Sequence, residues 1–259
     1  MRNVALTIAG SDSGGGAGIQ ADLKTFHRFG VFGTSAVTLI TAQNTQGVDA
    51  IEFLSPELVT GQIDAVLSDL APGAIKTGAL GTAPIIAAVA ERLGRLDDTP
   101  VVVDPVMVSK HGHVLIDEDA AESLVQDLLP LATLATPNLL EASALTRREI
   151  TTPFAMMEAS RMILDMGPGA VLIKGGQRLG DQALDVLFDG QQLQQFPAPI
   201  IDTPHTHGTG CTYSAAITAL LSQGNSLGEA VEEAKEFIGR AIVNAPGLGG
   251  GTGPVSHWV

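Results

Sequence analysis

The chain has 259 residues, 45% apolar and 16% charged, with a formal net charge of −14. That length and apolar share suffice for one large α/β core, and the acidic balance excludes a nucleic-acid partner, which would require a basic stripe. A single cysteine, Cys211, excludes an intramolecular disulfide and suits a reducing, cytoplasmic compartment.

Periodicity predicts alternating strands and helices. A strand over 4–9 leads into the glycine-rich loop 10–18 and a helix over 19–29. A strand over 35–41 precedes a helix over 56–67 that has Pro56 at its start. A short strand over 74–76 and a helix over 82–93 come next, then an apolar strand over 101–104 that ends in an acid. A helix over 117–128 has an acidic first turn. A strand over 131–136 stops at Pro137, and a helix over 155–166 is followed by a strand over 171–174. Segments 184–187 and 193–196 flank Asp189-Gly190, a hairpin signal. Two helices, over 208–222 and 227–244, close the pattern.

Repeated βα units imply an α/β fold: one domain over 1–259, with a mostly parallel sheet between helical layers and an antiparallel edge hairpin. The N-terminus lacks a signal-peptide pattern, and no apolar stretch is long enough for a membrane span. Open parallel sheets bind ligands beyond the carboxyl ends of their strands. The distinctive polar clusters fall there: 10–18, 43–46, 76–80, 104–110, 137–141, 174–176 and 206–211.

Two of these segments bear directly on chemistry. The loop from Gly10 to Gly18 lets backbone approach a ligand, yet it is neither a dinucleotide fingerprint nor a Walker A loop. The run Thr206-His207-Gly208-Thr209-Gly210-Cys211 leads glycine-rich backbone into a helix start. Unpaired first-turn N–H groups and the positive end of the dipole make that start an anion hole fit for a transferring phosphoryl group. Cys211 at the helix start is expected to have a lowered pKa. His205 and His207 read as backbone hydrogen-bonders, and no cluster has zinc-site spacing.

Taken together the motifs resemble the hydroxymethylpyrimidine/phosphomethylpyrimidine kinases of thiamin biosynthesis, within the ribokinase-like superfamily. They are Ala9-Gly10-Ser11-Asp12-Ser13, Gly16-Ala17-Gly18-Ile19-Gln20-Ala21-Asp22, Thr41-Ala42-Gln43-Asn44-Thr45-Gln46-Gly47, Asp104-Pro105-Val106-Met107-Val108, Thr136-Pro137-Asn138 with Glu141, Lys174-Gly175-Gly176 and Gly208-Thr209-Gly210-Cys211. The resemblance runs end to end. It implies a three-layer α/β/α kinase that uses ATP and Mg2+, phosphorylates a hydroxymethylpyrimidine and then its monophosphate, and forms a homodimer. Gln43 would bond the aminopyrimidine, with Gly10, Asp22 and Val106 lining the same pocket. Lys174, Asn138 and Glu141 would hold the nucleotide, and Asp104 and Glu141 the Mg2+. Gly208, Thr209 and Gly210 would shape the anion hole, with Cys211 as catalytic base.

Ser143, Gln177, His111 and His113 depart from the family pattern and bear on nucleotide contacts and on a flap over 109–114. The alternative within the superfamily is a pyridoxal or pyridoxine kinase. A sugar or nucleoside kinase is disfavoured because Cys211 stands where the Gly-x-Gly-Asp signature has its acid. A non-catalytic pyrimidine-binding protein is disfavoured by the intact polar set.

Overall fold

The computed structural model describes residues 3–107, 116–176 and 182–259. The expected flap over 109–114, with Lys110, His111 and His113, and the departure at Gln177 lie outside the described residues. In chain order the elements begin with β1 (Val4–Asp12), α1 (Gly18–Arg28), β2 (Phe32–Gln43), β3 (Val48–Phe53), α2 (Pro56–Leu67), β4 (Ala74–Thr77), α3 (Ala83–Leu93) and β5 (Val101–Val103). There follow α4 (Glu118–Ser123), β6 (Leu134–Ala135), α5 (Leu139–Thr146), α6 (Pro153–Leu164), β7 (Val171–Lys174), β8 (Asp185–Phe188), β9 (Leu193–Phe196), α7 (Thr209–Ser222) and α8 (Leu227–Val243).

Local chemistry sets the helix starts. Ser55, Asp117 and Thr152 each accept a first-turn N–H, and Pro56 and Pro153 occupy positions where a missing donor costs nothing. Asn138 with Glu141, and Ser226 with Glu229, form capping boxes. The helix expected over 117–128 is α-helical only to Ser123. It widens to a π turn over Leu124–Leu128 and tightens to a 3-10 turn over Leu129–Leu131, where Pro130 removes a donor.

One sheet runs in the order β3-β2-β1-β4-β5-β6-β7-β8-β9. The pairings from β2 to β7 are parallel, and β8 and β9 form the expected antiparallel hairpin. A second antiparallel edge, β3 on β2, was not foreseen, and neither was the short helix α5. Successive strand residues enter opposite cores. Val101 and Val103 pack with α2 and α3, whereas Val102 packs with α7 and α8. Val171 and Ile173 join the α5–α6 cluster, whereas Leu172 faces Tyr213 and Ala216. Both faces are therefore covered, the arrangement a parallel sheet requires. The carboxyl ends of β1, β4, β5, β6 and β7 open toward the start of α7.

Candidate active site

The centre of this rim is a charged cluster. Lys174, at the end of β7, donates from Nζ to Oδ1 of Asp104 at 2.7 Å. Asp104 follows β5 and is buried; it also accepts from Thr136 Oγ1 at 3.2 Å and from Ser214 Oγ at 3.2 Å. A Cβ placed on Gly210 would lie 3.4 Å from Lys174 Nζ and 3.9 Å from Asp104 Oδ2, so the first turn of α7 looks directly onto this pair. Burial would raise the Asp104 carboxyl, but Lys174 and Lys76 outweigh it and hold the group below its ordinary value. Burial would lower Lys174, but Asp104 and Glu141 outweigh it and raise it.

Asn138 caps α5, its Oδ1 accepting from the N–H groups of Leu140 and Glu141. Glu141 Oε2 accepts from the Asn138 N–H at 2.8 Å. Glu141 is buried, which pushes its carboxyl up to about 7; Lys174 pulls it down and Asp104 adds to the rise. A buried carboxyl at that value is a partner for a cation as well as a cap.

Beneath the start of α7 lies a second ion pair. Lys76 and Asp22 are both fully buried, with Nζ 3.1 Å from Oδ2, and Thr7 Oγ1 donates to the same oxygen at 2.6 Å. Burial raises the Asp22 carboxyl, and Lys76 and Thr7 pull it only part of the way back. Burial lowers Lys76, yet Asp22, Cys211 and Asp104 raise it to about 12. Asp22 is thus placed on Lys76, below the surface. Its Oδ1 is buried without a hydrogen-bond partner.

Cys211 is the third residue of α7 and keeps some surface. The expectation that the helix start lowers its pKa is corrected here. Burial pushes the thiol up to about 12, and Lys76 and the Gly18 N–H pull it only part of the way back. The helix dipole is weaker than the loss of solvent.

Gly208 caps α7 with φ 77°, a left-handed conformation that glycine adopts freely. A Cβ there would meet the Gly16 carbonyl oxygen at 1.8 Å, so the loop after β1 and the loop before α7 touch through backbone alone. Thr209 Oγ1 donates to the Thr206 carbonyl, which closes the entry to the helix. Gln43, half-buried at the end of β2, has its amide nitrogen 3.3 Å from His207 Nε2. Gly10 is buried against Leu39, and Val106 is half-buried just after Asp104.

The structure therefore gathers Lys174, Asp104, Glu141 and Gly210 in one group, and Asp22 and Cys211 around Lys76. Sequence reasoning placed Lys76 in the strand-end segment 76–80 and Thr136 in the motif before Asn138, but gave neither of them, nor Ser214, a role. It also set His207 aside as a backbone hydrogen-bonder; the ring in fact meets the Asp12 carboxylate at 2.8 Å, and both groups are buried. The spacing of Asp12 and Gly14 could have signalled the turn that Asp12 builds, since Oδ1 accepts the Gly14 N–H.

Comparison with known proteins finds relatives over the whole chain. The family described as phosphomethylpyrimidine kinase matches residues 12–256. A hydroxymethylpyrimidine/phosphomethylpyrimidine kinase of Rhizobium meliloti (strain 1021) is 51% identical over 100% of the chain and 98% of the relative. The thiamine biosynthesis bifunctional protein ThiED of Geobacter sulfurreducens is 48% identical over 99% of the chain, which spans 52% of that longer protein. The pyridoxal kinase from Staphylococcus aureus, solved in complex with AMP-PCP and pyridoxal, superposes with a TM-score of 0.91 at 38% identity, covering 100% of this chain and 94% of that one. The family match and the identity of these relatives over the whole chain show that the chain belongs to the phosphomethylpyrimidine kinase family of ribokinase-like phosphotransferases.

Proposed function

We propose that the chain transfers the γ-phosphoryl group of ATP to 4-amino-5-hydroxymethyl-2-methylpyrimidine and then to the resulting monophosphate, in thiamin biosynthesis. The observation that carries this reading is the Lys174–Asp104 pair held at 2.7 Å against the first turn of α7. Phosphoryl transfer needs positioned positive charge and N–H donors more than covalent chemistry, and that turn and Lys174 supply both.

The nucleotide phosphates lie against Lys174 and the first turn of α7, with Asn138 and Glu141 beside them. Among the described residues no three His, Cys, Asp or Glu side chains gather to hold a metal unaided. Mg2+ does not need such a cage, because it takes one or two carboxylates together with phosphate oxygens and water. Asp104 and Glu141, each within the field of the other, fit that requirement. Bound there, Mg2+ would offset charge on the transferring phosphate.

Gln43 reads the pyrimidine edge and Gly10 and Val106 line the ring pocket, with Asp22 beneath it as the fixed counter-charge of Lys76. Cys211 receives the alcohol proton in the first step as its thiolate, which the bound substrates must favour over the neutral thiol. The second acceptor, a phosphate monoester, is already largely ionised and needs no base. The same proposal includes a cytoplasmic homodimer. The exposed edge strand β3, with Phe53 on it and Ile40 and Leu58 exposed nearby, supports an apolar contact there.

A pyridoxal kinase is the second reading, favoured by the superposition on such an enzyme. ADP release measured in parallel with hydroxymethylpyrimidine, its monophosphate, pyridoxal and pyridoxine separates the two. Turnover of both pyrimidines is expected, with pyridoxal slower. Turnover of pyridoxal without the pyrimidine monophosphate would overturn the proposal.

A further inference from the structure

His207, Asp12 and Gln43 form a buried polar network whose hydrogen-bond roles can be worked out. Asp12 Oδ2 accepts the N–H groups of Gly16 at 3.0 Å and Ala17 at 2.8 Å, and it lies 2.8 Å from His207 Nε2. A bare Nε2 would set its lone pair against a carboxylate oxygen, so Nε2 carries a hydrogen and donates to Asp12. Burial would raise the Asp12 carboxyl, but the His207 contact and the Ala17 and Gly14 N–H groups lower it, which keeps it an acceptor.

This assignment constrains Gln43. With the amide nitrogen 3.3 Å from His207 Nε2, two N–H donors would oppose one another. At the other end the Thr41 hydroxyl, with one hydrogen, would serve two carbonyl oxygens, Ser11 O at 3.0 Å and Gln43 Oε1 at 3.2 Å. A half-turn of the amide exchanges its nitrogen and oxygen with little change of shape and replaces the two opposed donors by a donor facing acceptors. The one His207 Nε2 hydrogen is then shared, held mainly by Asp12 at 2.8 Å and reaching the Gln43 carbonyl at 3.3 Å. Thr41 donates to Ser11 and accepts from the Gln43 NH2.

We propose that the buried Asp12–His207 pair fixes the Gln43 amide with its carbonyl toward the anion hole and its NH2 toward Thr41, and so sets which way round an aminopyrimidine lies. The proposal rests on the pyrimidine reading above. The amide keeps one N–H and one lone pair for a ligand, in a fixed order. An aminopyrimidine answers with its exocyclic amino group on the His207 side and its ring nitrogen on the Thr41 side. The amino group neighbours the hydroxymethyl carbon on the ring. The alcohol is thereby carried to the side of Gly208, where the phosphoryl group is held. The opposite amide order would turn the ring over and take the alcohol away. Asp12 and His207 are thus positioning residues acting through Gln43.

Nitrogen NMR of imidazole-labelled wild-type protein, without substrate, reads the first half. His207 Nε2 is expected to carry a hydrogen, and a bare Nε2 overturns the pair's role. Kinetics reads the second half as the preference, in kcat/KM, for hydroxymethylpyrimidine over the analogue lacking the amino group. His207→Gln places an amide N–H where Nε2 stood and is expected to keep that preference within about threefold, whereas His207→Leu lowers it at least about tenfold with the KM for ATP little changed. An unchanged preference in His207→Leu, or an equal rise in the KM for ATP, would reduce the pair to a structural clamp. Absence of pyrimidine turnover in the wild-type protein would sink the substrate reading and the ring orientation with it, a failure distinct from a bare Nε2.

Discussion

At Cys211 two effects compete, and burial wins over the helix dipole: the thiol stands at about 12 in the unliganded protein. A neutral thiol accepts no proton, so a base role requires bound substrates to change its surroundings. Cys211→Ala tests this directly. The alcohol step is expected to slow by about a hundredfold or more, the scale of general-base catalysis, with the monoester step affected much less. Equal losses in the two steps, measured separately from hydroxymethylpyrimidine and from its monophosphate, would leave Cys211 as a wall of the anion hole. Gln43, Asp104 and Lys174 were legible in the sequence because each follows a strand. The position of Lys76 at a strand end was legible too, but its role as a buried ion-pair partner was not, since that depends on Asp22, 54 residues away in sequence, being buried with it.

At the scale of elements, the site depends on two loops meeting where no side chain fits. Gly208→Ala would put a Cβ against the Gly16 carbonyl in a left-handed backbone, so the loop before α7 must move. A displacement of about 1 Å in such a site costs about a hundredfold in rate. The expected result is that loss in kcat with the circular dichroism of the folded protein retained; wild-type kcat would show that the close approach is dispensable. Gly61, inside α2 with nothing within 4 Å, is the control: Gly61→Ala should raise stability by about 0.5–1 kcal/mol. The βα alternation was legible throughout, whereas β3 and α5 were not. β3 is a short edge strand with little buried surface to give it periodicity. α5 has only 8 residues, although Asn138 followed by Glu141 three places later is a capping signature that was not used to place a helix there.

Across the whole molecule, protonation links buried groups to stability. His257 accepts from or donates to Thr212 Oγ1 at 3.0 Å, and burial, aided by Lys24, lowers it to about 4. Its folded value is depressed from 6.5, so the unfolded chain binds more protons between those values. Stability is therefore full above about pH 6.5 and declines as pH falls toward 4, by roughly 3 kcal/mol over the window. Glu141, raised from 4.5 to about 7, acts in the opposite sense: the folded state holds the extra proton, and stability declines as pH rises through that interval. The difference between wild type and His257→Gln isolates the histidine. Denaturant midpoints of the variant should fall less steeply than wild type between pH 6.5 and 4, and parallel curves would refute the assignment.

The bracing of α7 has a further consequence for synthesis. His207 pairs with Pro254, the Val255 N–H bonds to the His207 carbonyl, and Thr212 bonds to His257. The start of α7 is thus buttressed by chain that leaves the ribosome after all nine strands of the described residues have been made. Contacts this distant in sequence form late. A nascent polypeptide stalled before residue 254 should hold its sheet yet retain no ATP analogue, and the site would become competent only once residues 254–257 are in place. Retention of the analogue by such a stalled chain would show that the hole stands without its buttress.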